Sequence, residues 1–176
     1  MPVETIEVMA NIWLQLREHG KKVQGGCREG HNVFTDVGRQ WLAQLISYQG
    51  FGPDVTYRDD RVRYIGVGEG TQVEVPGVVQ LINATQVLAG GNYIKGVTAP
   101  PDFPSSTRVQ WYTLFAAAEL STVPNPTPIL TEAGIFSDYT GINPVLATNA
   151  PAAYKTFEPL TKTTSFTLEV RWEFRF

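Results

Sequence analysis

The final twelve residues, "SFTLEVRWEFRF", alternate strictly. Phe166, Leu168, Val170, Trp172, Phe174 and Phe176 fall at spacing two, with Thr167, Glu169, Arg171, Glu173 and Arg175 between them. In an extended chain the first set shares one face and the second the other. At about 3.3 Å per residue the run spans roughly 40 Å. A helix would scatter the same apolar positions around its circumference, so the pattern predicts a strand. The expected place is the middle of a β-sandwich, with the Glu/Arg face directed to cross-strand ion pairs, water or a partner subunit. The flush end predicts that Phe176 is buried or packed against a neighbour.

Upstream, "TIEVMANIWLQLREH" (residues 5–19) reads both ways. Ile12, Leu14 and Leu16 alternate as in a strand, while Met9, Ile12, Trp13 and Leu16 would also line a helix. Gly20 among polar residues, followed by Val23, Val33 and Phe34, favours a β-hairpin or arm over about 1–34. One short amphipathic helix is predicted near 37–48. Asp36 serves as its N-cap, Trp41, Leu42, Leu45 and Ile46 form its apolar stripe, and Gly50, Gly52 and Pro53 end it.

Next, "RVRYIGVGEGTQ" reads as a strand entering a glycine-rich turn. "LINATQVLAG" fits a second short helix or a strand. "GGNYIKGVTAPPDFPSS" reads as a loop. "TRVQWYTLFAAAEL" predicts a strand with Val109, Trp111, Thr113 and Phe115 on one face. "STVPNPTPIL" is a proline-rich connector, "TEAGIFSD" a short strand, and "LATNAPAAYKTFEPLTKT" an extended lead into the terminal strand. The expectation is one mainly β domain over 1–176, an antiparallel, jelly-roll-like β-sandwich.

Composition narrows the function classes. A net charge of −3 offers no basic stripe for nucleic acid. No apolar run reaches the length of a membrane span. "MPVETIEVMANIW" lacks the basic start and apolar core of a signal peptide. The single cysteine, Cys27, excludes an internal disulfide and fits synthesis in a reducing cytosol.

Candidate chemistry is sparse. Gly66, Gly68 and Gly70 follow a strand, but no helix and no Walker lysine come after them, so a tight turn needing φ > 0 explains them better than phosphate binding. Cys27, His31 and His19 make three potential zinc ligands without a fourth. Asp59 and Asp60 lie between Arg58, Arg61 and Arg63, which favour both charges and suit an ion-paired turn rather than a catalytic dyad. With two histidines in one glycine-rich segment, no Ser–His–Asp set assembles. No enzyme activity, cofactor or metal is therefore expected. Glu132, inside the apolar "LTEAGIF", needs either water at a sheet rim or a salt bridge, with Arg39 or Lys162 as candidate partners.

Four segments occur in order: "HNVFTDVGRQWLAQLI", "VRYIGVGEGTQ", "LTEAGIFSD" and "YKTFEPLTKTTSFTLEVRWEFRF". Together they resemble a family of small virion structural proteins of tailed bacteriophages. There an Asn-Val-x-Thr-x-x-Gly-Arg segment opens a helix and a strand ends in Gly-x-Gly. A Glu-Ala-Gly-apolar-Phe strand and a Phe-x-Pro-apolar-x-Lys segment before the last strand complete the pattern. The resemblance covers about 31–176. The chain departs from it in "VVQLINATQVLAG", which lacks an acidic and an arginine residue that relatives often carry, and in a longer 90–108 loop.

The resemblance implies a virion protein made in the bacterial host cytoplasm, without catalytic residues. Its expected partners are the major capsid protein, for a decoration (cement) protein, or tail and baseplate proteins, for an adaptor that carries fibres. It also implies a homo-oligomer; from the charge and the lack of an apolar span, neither nucleic acid nor membrane is expected as a partner. Tyr93, Phe103 and Tyr139, aromatic residues on expected loops, are with Phe176 the candidate partner contacts. A cellular enzyme and a carbohydrate-binding module are the readings from other classes. The module would need exposed aromatics in a groove, with Trp111 and Tyr112 as the residues in question.

Overall fold

The computed structural model describes residues 9–39, 62–88, 93–97, 101–122, 125–137 and 150–176. Ten strands follow in chain order: β1 Met9–Glu18, β2 Lys21–His31, β3 Val33–Phe34, β4 Val62–Gly68 and β5 Ile94–Gly96 come first. β6 Asp102–Ser105, β7 Arg108–Phe115, β8 Ile129–Ser137, β9 Ala153–Thr161 and β10 Thr167–Arg175 complete the set. They form two five-stranded sheets, ordered β2-β1-β10-β7-β6 and β3-β9-β8-β4-β5, in which every named pair is antiparallel.

The terminal alternation forms β10, the centre of sheet one, paired to β1 on one side and β7 on the other. Leu168, Val170, Trp172 and Phe174 are fully buried, and the alternate positions of β1 (Ile12, Leu14, Leu16) and β7 (Val109, Trp111, Phe115) join them. Sheet two contributes Ile65, Val67, Ala133, Ile135 and Ala153 from the facing side. Burying a side chain of this kind is worth about 1.5–3 kcal/mol, so this layer is the main source of stability. Phe174 packs edge-on against Phe34 and Trp111, at 5.4 and 5.0 Å between centroids, which ties the layers together.

Sheet two is covered on its second face as well. Residues 69–88 leave β4, cross the sheet as an irregular strap, and return beside β4 through Glu69 N to Asn83 O, Thr85 N to Val67 O and the Gly68–Ala84 bridge. Beneath the strap, Val78 and Leu81 pack on Ile94, Phe136 and Tyr154 as a second, smaller core. Segment 81–88 is therefore neither helix nor strand.

Other expectations change in detail. Residues 9–31 form a hairpin turning at His19 and Gly20, both at positive φ. The helix begins with a turn at 36–39 whose cap is Thr35, not Asp36: Gly38 N donates to Thr35 Oγ1 and Arg39 N to Thr35 O. The Asp36 amide instead donates to Pro76 O in the strap. The remainder of the predicted helix, Asp59 and Asp60, and Tyr139 lie outside the described residues. The expected loop over 90–106 contains β5 and β6, because Ile94–Gly96 pairs with β4 and Asp102–Ser105 with β7.

Candidate functional site

Glu132 organises the strap. It lies on the outer face of sheet two and is fully buried, with no water-facing rim. Its Oε1 accepts from Gly70 N at 3.1 Å and Asn83 N at 2.9 Å, and its Oε2 from Ile82 N at 3.2 Å and the Tyr154 hydroxyl at 2.9 Å. Four donors converge on an acceptor-only group. The predicted salt bridge does not form: Arg39 pairs with Asp36, and Lys162 Nζ donates to Ala117 O and Thr163 O. Backbone amides of a covering loop replace the cation, and they sit where the strap closes over the strand.

Glycine is required at two places for this. A Cβ added to Gly68 or Gly70 would stand 2.5 Å from Glu132 Oε1, well inside contact distance. None of Gly66, Gly68 and Gly70 has positive φ. The "GVGEG" run therefore serves close approach of backbone to a carboxylate, not a left-handed turn. Tyr154 completes the knot; burial first, and then the Glu132 charge, push its phenol well above its ordinary 10, so it stays a donor.

Two more carboxylates pin the strap. Glu69 accepts from Asn125 Nδ2 and Ile129 N, and Glu74 from Lys155 Nζ, Thr156 N and Thr156 Oγ1 on β9. Burial pulls the Glu74 carboxyl upward, but the bonds from Lys155 and Thr156 outweigh it and hold it below the usual range. On the strap's solvent side stand Val73, Val75, Val79, Ile82 and Leu88. Those five are half of the large apolar side chains that the described residues expose. Glu74, turned inward, is the one charged residue between 71 and 88.

The outer face of sheet one differs in kind. A groove of about 310 Å³ is lined by Trp13, Gln15, Arg17, Lys22, Cys27, Gln110, Glu169 and Arg171. Its floor is Glu169, almost entirely buried, held by Arg17 Nε at 2.6 Å from the neighbouring strand and by Arg171 Nε at 2.7 Å two residues on. Burial opposes ionisation, yet the two arginines prevail and hold the carboxyl below its ordinary range. Glu173 pairs with Arg175 in the same way, so the charged face of β10 carries ion pairs both along and across strands.

The residues singled out from sequence scatter. Tyr93 is half-buried against the small core and accepts a hydrogen bond from Gln86 Nε2 at 3.0 Å. Phe103 is 68% exposed on the edge strand β6. Phe176 is not buried: it lies one residue past β10, 51% exposed, with its amide bonded to Thr107 O. Trp111 belongs to the core, Tyr112 lies under the Arg171 guanidinium, and Trp13 lines the groove. Cys27 is exposed on β2, and His31 Nδ1 meets Asn11 Oδ1 at 2.6 Å. No group of three metal-ligating side chains occurs among the described residues.

Glu69, Glu74 and Tyr154 escaped sequence reasoning. Glu74, a lone acid in an apolar run like Glu132, carried the same signal. Arg28 was also missed; its guanidinium holds the carbonyls of Gly25, Cys27, Glu158 and Pro159 and draws the edge of β2 onto β9. No family model, curated protein or solved structure matches the chain.

Proposed function

We propose that the chain is a non-enzymatic structural subunit of a tailed-phage virion, a capsid decoration protein that docks on the head shell through the strap. The observation that carries this reading is the strap's solvent face. It is apolar and nearly uncharged, and it is fastened from beneath by Glu69, Glu74 and Glu132. Large apolar side chains exposed together on one segment are the kind of surface that marks contact sites on proteins. A surface already rigid loses little conformational entropy on docking. Many copies binding a repetitive shell would gain further through multivalency.

The resemblance motifs support the same reading from another side, because they converge on one construction. The "VRYIGVGEGTQ" motif supplies Gly70, "LTEAGIFSD" supplies Glu132, and Tyr154 opens the last motif; all three meet in the knot. Thr35 of the first motif donates its hydroxyl to Pro151 O and Ala152 O, just ahead of Tyr154. The four segments thus supply the seat of the strap and its first turn, while most of the strap itself, from Val78 on, lies in the stretch where the chain departs from the family pattern.

The test is immunogold electron microscopy on particles of the phage that encodes the chain, with antibody against the recombinant protein. Gold distributed over heads is the expected result. Gold confined to the neck or distal tail replaces decoration with the fibre-adaptor reading. Absence of the antigen from intact and dissociated virions overturns both.

A further inference from the structure

The groove on the outer face of sheet one is a site that the docking strap leaves unused, since the two lie on opposite sheets. Its lining holds three cations, Arg17, Lys22 and Arg171, against one carboxylate, Glu169, in a chain whose net charge is −3. Glu169 is already committed: Oε2 to Arg17 and Oε1 to Arg171. That arrangement holds both guanidinium groups on one carboxylate, and Arg17 Nη1 also donates to Gly20 O at 3.2 Å, so the two arginines are fixed in place while the lining as a whole keeps a positive surplus. Arg171 is further steadied over the Tyr112 ring, 5.8 Å from its centroid.

The remaining lining is not what a simple anion needs. Trp13 supplies an apolar indole wall. Gln15 turns its amide nitrogen to Leu16 O and Gly26 O, which leaves its oxygen as an acceptor. The Trp13 indole N–H, the Lys22 ammonium and the Gln110 amide are not taken up by hydrogen bonds among the described residues. Flat apolar surface, amides that both donate and accept, and fixed guanidinium groups match a polyhydroxylated ring bearing a carboxylate. The volume, at the lower end for ligand sites, suits one such ring with part of the next. An acidic peptide side chain would use the cations and leave indole and amides unmatched.

We propose that this groove binds an acidic saccharide, with the carboxylate of one sugar unit on Arg171, Arg17 and Lys22 and its ring against Trp13. The site goes beyond the docking role and stands whether or not that role holds.

Tetragalacturonate is the probe, titrated into the full chain and followed by the indole N–H and glutamine side-chain signals in ¹H–¹⁵N NMR spectra. A neutral galactose tetramer and tetraglutamate are run in parallel. Saturable shifts of the Trp13 and Gln110 signals, with a Kd of about 1 mM or tighter, are expected. Trp13→Ala should weaken binding about tenfold. Gln110→Ala, on a different strand, should weaken it without loss of fold.

Cys27, the chain's one cysteine, lines the groove and gives an independent readout: bound tetragalacturonate should slow its alkylation. Three results would overturn the proposal. They are no shift and no Cys27 protection at saturating probe, equal binding of the neutral tetramer, or tetraglutamate binding as tightly as tetragalacturonate.

Discussion

The Tyr154 hydroxyl of β9 donates to Glu132 Oε2 of β8 at 2.9 Å, and the same carboxylate receives three amide hydrogens from the strap above it. A carboxylate for which the sequence offered only water or a salt bridge is thus the internal fastener of the second core. Glu132→Ala would leave four donors without a partner, those of Gly70 and Tyr154 buried and those of Ile82 and Asn83 part-buried, and should cost about 3 kcal/mol. Tyr154→Phe removes one donor and should cost about 1 kcal/mol. Urea unfolding measures both. Amide exchange should quicken first at Gly70, Ile82 and Asn83 in the Glu132 variant.

Gly68 and Gly70 face the same oxygen, and Gly68 also faces Asn83 O at 2.6 Å from an added Cβ. Alanine at either position forces the strap off the carboxylate and should destabilise by about 1–3 kcal/mol. Gly77, where an added Cβ meets nothing within 4 Å, is the control and should tolerate alanine. The Gly70→Ala cost should shrink in a Glu132→Ala background, a coupling that a double-mutant cycle reads directly.

Lys162 is fully buried, and burial lowers its pKa to about 8, against a weaker opposing pull from Glu119. The unfolded chain keeps that proton up to the usual 10.5. Above about pH 8 the unfolded state therefore binds more protons than the folded one, and stability rises with pH. The rise should run until tyrosines begin to titrate near pH 10, since the raised Tyr154 pKa acts in the opposite sense. Lys162→Met should flatten the rise in melting temperature between pH 8 and 10.

Arg28 holds four carbonyls from two strands in different sheets. Arg28→Lys keeps the charge but loses the planar fork, so it should restore little of what Arg28→Ala removes, about 1 kcal/mol or more. Amide exchange along β2 should accelerate in both variants, while β10 stays protected.

Much of the sandwich was legible because sheet one has one wet and one dry face. Alternation in β10, β7 and the β1–β2 hairpin survives as a period of two. Sheet two lacks that signal, since the strap buries its second face: Glu132 and Phe136 on β8 are as hidden as Ala133 and Ile135. Sequence reasoning therefore offered Glu132 only water at a rim or a salt bridge with Arg39 or Lys162, and not a cover of backbone amides. The strap itself has no period because its hydrogen bonds run to side chains and scattered carbonyls. The groove was unreadable for another reason. Trp13, Gln110 and Glu169 come together only through the β1–β10–β7 register, which links positions far apart in the chain.

The most direct measurement is co-sedimentation of the purified protein with phage heads stripped of it, comparing the native chain with a Val73→Glu, Val79→Glu variant. Both substitutions sit on the exposed side of the strap and should leave the melting temperature unchanged. Docking through the strap predicts that the native chain pellets with heads, and that the equally folded variant stays in the supernatant. A variant that pellets as well as the native chain, or a native chain that binds tails and not heads, would contradict it.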